Sequence, residues 1–265
     1  MNKMKLSLVV PCYNEEDNIR DFYHAAKHVF DAEEYEYEMI FINDGSKDKT
    51  QEALESVFNL HEACVVVETF SRNFGKEGAV FAGIAQAEGD CIAVMDCDLQ
   101  HPPETLIKMY RLWEDGYQVI EGVKASRGRE SFIHKMFAKT FYSIISDATG
   151  IDMSRASDFK LMDRQAAEEF LKLPERNVFF RALSSWVGFK TTYVEFDVQE
   201  REAGESKWSF KSLVRYAVNN ITSFSAAPMQ IVTFFGVVFF VFAVLLGIQS
   251  LYMYFLDMQL QDSQQ

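Results

Sequence analysis

The chain has 265 residues, a formal net charge of −13 at neutral pH and 48% apolar residues. This length fits one medium-sized domain with an extra segment, or two small domains, and the apolar fraction is enough for a hydrophobic core. The acidic balance argues against nucleic acid as a partner. The four cysteines lack the spacing of a zinc site, which favours an intracellular protein with reduced thiols.

The first half of the chain alternates short β-rich runs with stretches of helical periodicity. Strands are predicted at 6–11, 37–43, 64–70, 91–96 and 117–123, and helices at 15–30, 48–59, 78–86 and 102–114. Apolar strands that alternate with helices are typical of a parallel sheet covered on both faces. The sequence therefore predicts an α/β fold.

Polar clusters follow the first four predicted strands. In chain order they read PCYNEE, NDGS, SRNFGK and DCDLQ. Ligands of parallel sheets bind beyond the carboxyl ends of the strands, and these ends lie at one edge of the sheet. The four clusters together therefore predict a single binding site at that edge.

Two carboxylates, Asp96 and Asp98, end the fourth predicted strand. Charged residues rarely end a core strand without a partner, and two carboxylates at one point repel each other unless a cation lies between them. Gln100 adds an amide oxygen. Because oxygen ligands favour Mg²⁺ or Mn²⁺, these three residues are predicted to bind one of these metals, with a solvated aspartate-rich turn as the alternative.

The phosphorylated ligand that such a metal would serve must be held without the common glycine-rich loops. No GxGxxG follows the first strand, which disfavours a dinucleotide site. No GxxxxGK[ST] occurs either, so a P-loop is absent from the sequence.

The second half of the chain is less regular. An amphipathic helix is predicted at 132–146, a short strand and a helix within 156–173, and a further strand at 190–202. Residues 207–224 mix basic and aromatic side chains, which predicts a helix lying in a membrane interface. An ordinary surface helix is the alternative for this last segment.

An uncharged apolar run covers residues 231–256. A membrane-spanning helix needs ~20 apolar residues, so this run is predicted to be a transmembrane helix, with a buried core helix as the alternative. Basic residues precede the run (Lys207, Lys211 and Arg215), whereas only acidic ones follow it closely. The positive-inside rule then places the large N-terminal part in the cytoplasm.

Seven motifs occur together in a recognisable order. They read VVPCYNEE, FINDGSKDKT, RNFGKEGA, MDCDLQHP, DFKLMDR, PERNVFF and EREAGESKW. In these motifs the chain resembles the family 2 glycosyltransferases with a GT-A fold, and within them the polyprenyl-phosphate glycosyltransferases, such as bactoprenol glucosyltransferases and dolichol-phosphate mannose synthases. The resemblance covers roughly residues 5–230. Relatives of the bactoprenol type usually carry two C-terminal transmembrane helices, of which this sequence contains one.

The resemblance implies roles for the donor half of the site. Contacts to the donor nucleotide are implied for Pro11, Tyr13, Glu15, Asp44 and Lys76. Lys76 is also compatible with a plain lysine at the start of a helix.

The same resemblance implies roles around the reacting groups. Asp96, Asp98 and Gln100 match the residues that bind the metal and, through it, the diphosphate. Asp158 matches an acidic residue near the sugar and the acceptor, so Asp158 and Asp98 are the predicted catalytic residues.

The acceptor half is predicted to be basic. A phosphate monoester is already mostly ionised at neutral pH, with a second pKa near ~6, so a lipid phosphate needs positive charge more than a general base. Arg127 and Arg129, within the basic block at 124–139, are predicted to bind this phosphate, and attraction to anionic headgroups is the alternative. The resemblance adds Arg201 and Lys207 as phosphate-facing residues.

The sequence thus predicts a membrane-anchored, metal-dependent inverting glycosyltransferase. It would move a sugar, glucose or N-acetylglucosamine from a UDP-sugar, to polyprenyl phosphate at the cytoplasmic face of the cell membrane. The predicted parts are a GT-A domain at 1–200, a juxtamembrane amphipathic segment at 201–229, a transmembrane helix at 230–256 and a polar tail at 257–265. A homo-oligomer is left open. The alternatives are a glycosyltransferase with a carbohydrate acceptor, although no QxxRW signature occurs, and a non-catalytic sugar-nucleotide-binding scaffold.

Overall fold

The fold was obtained as a computed structural model, which describes residues 4–33, 35–61, 64–125, 157–173, 180–181, 188–197 and 227–262. The chain forms two compact units, Met1–Ser209 and Phe210–Gln265. The strands are β1 (Lys5–Cys12), β2 (Glu36–Asn43), β3 (Cys64–Thr69), β4 (Cys91–Val94), β5 (Val119–Lys124), β6 (Lys160–Asp163) and β7 (Thr191–Phe196). The helices are α1 (Ile19–Ala32), α2 (Thr50–Phe58), α3 (Lys76–Gln86), α4 (Glu104–Glu114), α5 (Arg164–Leu171) and α6 (Ala227–Asp262).

The seven strands form one sheet in the order β3-β2-β1-β4-β6-β5-β7. Strands β3, β2, β1 and β4 are parallel, so their carboxyl ends share one edge, as the sequence predicts. The α/β class is confirmed, and the four polar clusters leave the sheet at this common edge.

The second half of the sheet adds one antiparallel strand to the parallel sheet that the sequence predicts. Strand β6 lies between β4 and β5 and is antiparallel to both, with Val94 opposite Lys160 and Glu121 opposite Lys160 on the other side. Strand β5 ends, and strand β6 begins, at the same edge of the sheet. Two neighbouring strands arranged in this way run in opposite directions. The start of β6, and with it Asp158, is therefore brought to the edge that carries the polar clusters.

Helices cover both faces of the sheet. The main hydrophobic cluster joins Leu8 and Val10 of β1 to buried side chains of α1, α2 and α4. Helix α3 packs on the opposite face, where a Cβ at Gly83 would lie 2.3 Å from Val9 Cγ1. A larger residue at Gly83 would push α3, which begins at the polar edge, away from the sheet.

The second unit contains the long helix α6. Its stretch Met229–Tyr254 has 26 residues, of which the most apolar 18 have a mean hydropathy of 2.9 and none is buried, so it is long and apolar enough to cross a membrane. The helix continues to Asp262. The helices predicted at 132–146 and 207–224 lie outside the described residues.

Candidate functional site

The first two polar clusters are joined by hydrogen bonds. Asn14 N–H donates to Ser46 Oγ at 3.0 Å, and Lys47 N–H donates to Asn14 Oδ1 at 2.8 Å. Glu15 N–H donates to Thr50 Oγ1 at 2.8 Å. The loops after β1 and β2 therefore form one surface, on which Pro11, Tyr13 and Glu15 are half-buried.

Asp44 joins the second cluster to the third. Its carboxylate, in a residue only 2% exposed, accepts the N–H groups of Phe74 at 2.6 Å and Gly75 at 2.9 Å. Gly45, with φ +63°, lies so close that a Cβ would be 2.4 Å from the carbonyl carbon of Arg72. Asp44 thus fixes the loop that leads into α3, and its contact with the nucleoside stays a prediction.

The fourth cluster presents three oxygen-bearing side chains on one tight turn. Asp96, Asp98 and Gln100 are all half-buried. Gln100 N–H donates to Asp98 Oδ1 at 3.2 Å, and Leu99 between them has φ 55°, a left-handed conformation that is uncommon for leucine. These oxygens therefore belong to alternate residues of one short turn, and their side chains stay partly exposed.

This donor set fits a hard divalent cation that shares its coordination with a substrate. Within the described residues, no group of three or more histidine, cysteine, aspartate or glutamate side chains could hold a metal by itself. Two carboxylates and an amide oxygen are the incomplete set expected for Mg²⁺, which usually completes its shell with water and phosphate oxygens.

Lys76, the first residue of α3, connects the fourth cluster to Asp158. Its Nζ lies 2.7 Å from Asp96 Oδ1 and 3.3 Å from Asp158 Oδ2. Desolvation alone would lower the pKa of Lys76, but Asp158 and Asp96 outweigh it and raise the pKa well above its usual value. Lys76, which was predicted to bind the donor nucleotide, therefore contacts both Asp96 and Asp158 through its ammonium group.

Asp158 is held on its other side by Arg181. Arg181 Nε donates to Asp158 Oδ1 at 3.0 Å, and Nη2 donates to Oδ2 at 2.6 Å. Burial alone would raise the pKa of Asp158, but Lys76 and Arg181 hold it well below its usual range. Asp158 is therefore a fixed negative charge and a very weak proton acceptor.

A buried ion pair lies behind Asp158. Lys160 Nζ is 3.4 Å from Glu121 Oε1, and the two side chains are 0% and 4% exposed. The other oxygen of Glu121 accepts Ser157 N–H at 2.9 Å. Burial lowers the pKa of Lys160, although Glu121 and Asp158 oppose this. Glu121 thereby ties the residue before Asp158 to strand β5, and its partner Lys160 lies on the neighbouring strand β6.

Three of these charged residues were missed by the sequence analysis. Arg181, Lys160 and Glu121 each interrupt an apolar run, and this signal is related to the one that singled out Asp96 and Asp98, which end such a run. The predicted acceptor residues, Arg127, Arg129, Arg201 and Lys207, lie outside the described residues.

Comparison with known proteins gives a family and relatives of similar sequence. The profile of Glycosyl transferase family 2 matches residues 7–171. The "Uncharacterized glycosyltransferase YkcC" of Bacillus subtilis is 42% identical over 88% of this chain and 72% of its own length. The "Prophage bactoprenol glucosyl transferase homolog" of Escherichia coli is 39% identical over 89% of this chain and 77% of its own length.

One solved structure that the chain resembles is the glucosyl-3-phosphoglycerate synthase of Mycobacterium tuberculosis in complex with Mn²⁺, UDP and glucosyl-3-phosphoglycerate. It has a TM-score of 0.55 at 18% identity, over 83% of this chain and 78% of that one. At this identity the likeness concerns the fold.

Proposed function

Because the chain belongs to glycosyl transferase family 2 and has its GT-A fold, we propose that it transfers a sugar from a nucleotide donor to polyprenyl phosphate. The transfer would invert the sugar's anomeric centre and take place at the cytoplasmic face of a membrane. The donor would be a UDP-sugar, with glucose or N-acetylglucosamine as the sugar.

The observation that carries the choice of acceptor is the environment of Asp158. A hydroxyl acceptor needs a general base whose pKa lies near the working pH. Asp158, paired with Arg181 and Lys76, has a pKa far below that range. A phosphate acceptor is already mostly ionised, with a second pKa near ~6, and needs no such base. Asp158 is thus poorly suited to activate a sugar hydroxyl, which favours a phosphate acceptor.

Two further findings support a lipid phosphate. The relative from E. coli is named as a homologue of bactoprenol glucosyl transferase and matches most of this chain. Helix α6 is long and apolar enough to anchor the enzyme in the membrane in which such a lipid lies.

The donor would bind along the edge formed by the loops after β1, β2 and β4. Pro11, Tyr13, Glu15 and Asp44 would bind the nucleoside, and Lys76 the diphosphate. Mg²⁺ or Mn²⁺, held by Asp96, Asp98 and Gln100, would neutralise the charge that develops on the leaving diphosphate. The Mn²⁺ and UDP in the structure of the M. tuberculosis synthase are compatible with this arrangement.

The acceptor phosphate would be bound by the predicted basic residues Arg127, Arg129, Arg201 and Lys207. Asp158 would stay ionised beside the reacting sugar and would not take up a proton during transfer. The lipid phosphate would supply its own ionised oxygen as the nucleophile.

The test uses the full chain in lipid nanodiscs with labelled UDP- and GDP-sugars. Polyprenyl phosphate, the matched polyprenol without phosphate and a soluble oligosaccharide are offered as acceptors. We expect label in the lipid extract only with polyprenyl phosphate and a divalent metal. Transfer to polyprenol at a similar rate, or label only in a water-soluble polymer, would overturn the proposal.

A further inference from the structure

The charged groups around Asp158 form a chain of contacts that includes Arg181 and Glu77, two residues to which the sequence motifs gave no role. We propose that Arg181 is a positioning residue that orients the Asp158 carboxylate for transfer, and that Glu77 fixes Arg181 in turn. This inference rests on the proposed place of Asp158 in the transfer site.

The first contact of this chain is the pair between Arg181 and Asp158. Nε and Nη2 of the guanidinium each bind a different carboxylate oxygen, at 3.0 and 2.6 Å. Such two-point pairing fixes the plane of a carboxylate, which a single ammonium cannot do. Lys76, 3.3 Å from one of these oxygens, adds charge but leaves the carboxylate free to rotate. Arg181 is therefore the group that determines the direction of Asp158.

The second contact fixes the backbone that carries Arg181. Glu77 Oε2 accepts Phe180 N–H at 2.9 Å, which ties the residue before Arg181 to the first turn of α3. The Phe180 ring is 1% exposed and packs edge-on against Phe170 at 5.5 Å between ring centroids, with Lys160 Nζ 4.8 Å above it. Arg181 thus extends from a backbone position that is held on two sides.

Glu77 would serve mainly as a hydrogen-bond acceptor. Burial and the nearby Asp158 carboxylate raise its pKa to about 7, against the opposing effects of Phe180 N–H, Lys76 and Arg181. Either protonation state leaves an oxygen that can accept Phe180 N–H. A glutamine at this position should therefore replace Glu77 better than an alanine.

The test compares Arg181→Ala, Arg181→Lys and the control Arg111→Ala in the full chain. Arg111 is also paired with two carboxylates, those of Glu33 and Glu114, but its side chain is 56% exposed on α4. We expect Arg181→Ala to lower kcat about 100-fold, with the donor KM within about threefold of the wild-type value. Arg181→Lys should recover part of the loss, and Arg111→Ala should leave kcat unchanged.

Chemical rescue separates orientation from a general loss of structure. Guanidinium ion at millimolar concentration should restore part of the activity of Arg181→Ala and none in Arg111→Ala or in the wild type. An unchanged kcat, or a folded, donor-binding Arg181→Ala that guanidinium does not rescue, would overturn the inference. If Arg181→Ala does not fold, the inference is tested by the kcat of Arg181→Lys, which should be lower than that of the wild type. A wild-type kcat in Arg181→Lys would overturn the inference as well.

The role of Glu77 is tested by comparing its alanine and glutamine variants. Glu77→Ala should lower kcat about tenfold, and Glu77→Gln about threefold at most. Equal losses in the two variants would contradict the role of Glu77 as an acceptor.

The same assays distinguish this inference from the proposed function. Wild-type transfer to polyprenyl phosphate tests the function, whereas the ratio of variant to wild type tests Arg181. If lipid phosphate is not the acceptor, the ratio of variant to wild type is measured instead on the slow hydrolysis of the donor by water.

Discussion

At the scale of single residues, the site balances acidic and basic groups within one small region. Asp96 and Asp158 share the ammonium of Lys76, and Asp158 is also bound by Arg181. Without these cations the two carboxylates would repel each other. A divalent metal or a diphosphate that enters this region therefore has to exchange partners with groups that are already paired.

Asp98→Ala tests the metal role of the turn after β4. We expect transfer to fall by about 100-fold or more, because the cation that stabilises the leaving diphosphate loses a ligand. Donor binding, measured by calorimetry, should weaken in Mn²⁺ but not in EDTA. Asp115→Ala, at the exposed end of α4, is the matched control and should change neither quantity. Full activity of Asp98→Ala in EDTA would exclude the metal role.

Lys76→Met tests whether Lys76 competes with the metal for Asp96. A cation that binds Asp96 must displace the Lys76 ammonium, whereas a bound diphosphate gives that ammonium a new partner. We expect Mn²⁺ alone to bind Lys76→Met about threefold to tenfold more tightly, and the donor in Mn²⁺ to bind more weakly. The effect is modest because the Lys76 side chain is 39% exposed.

The measurement for Lys76 is calorimetric titration of Mn²⁺ into the full chain without donor. Lys108→Met removes the same charge from an exposed position of α4 and controls for long-range electrostatics. Weaker Mn²⁺ binding in Lys76→Met, or an equal gain in Lys108→Met, would show that no such competition exists.

At the scale of elements, the direction of β6 determines where Asp158 lies. The apolar runs of the sequence predicted the strands of the parallel half and the edge at which their loops meet. They could not predict β6 between β4 and β5, because periodicity shows that a strand exists but not which strand it pairs with or in which direction. Arg181 was missed for a related reason, since its partner Asp158 is 23 positions away in the sequence.

The buried pair Glu121–Lys160 should be important for the stability of this half of the sheet. Lys160→Met leaves Glu121 buried without its cation, which we expect to lower the free energy of unfolding by about 3–5 kcal/mol. The double variant Glu121→Gln/Lys160→Met should recover most of this loss, because glutamine removes the charge and still accepts Ser157 N–H.

Urea denaturation of the full chain in detergent, followed by tryptophan fluorescence, measures these differences. Lys172→Met is the matched control, since Lys172 pairs with Glu169 on the surface with both side chains largely exposed. That change should cost less than about 1 kcal/mol. A similar small loss for Lys160→Met, or a double variant no more stable than the single one, would contradict this role of the pair.

At the scale of the whole molecule, the net charge of −13 opposes the approach of an anionic lipid. Attraction of the proposed acceptor phosphate would therefore have to come from local basic residues, and these precede the apolar helix in the sequence. Basic residues beside a spanning helix stay on the cytoplasmic side. If α6 spans a membrane, this rule predicts the cytoplasmic face for the residues before it, which is the face that the proposed function requires for its nucleotide donor.

The exposed Cys64 offers a direct test of this orientation. It lies at the start of the edge strand β3, whereas Cys12, Cys91 and Cys97 are buried. If the unit that carries Cys64 is cytoplasmic, a membrane-impermeant maleimide should label the chain only after the cells are permeabilised. Cys64→Ser should then remove the labelling, because the buried thiols do not react while the protein is folded.

A cysteine placed after α6 provides the opposite control. In the Cys64→Ser background, Ser263→Cys follows a helix that ends at Asp262. If α6 crosses the membrane, this position should be labelled in intact cells. Labelling of Cys64 in intact cells would place the sheet and its site on the outer face, where a cytoplasmic nucleotide sugar is absent. Protection of both positions would mean that α6 does not cross the membrane, because the two ends of a spanning helix cannot lie on the same side.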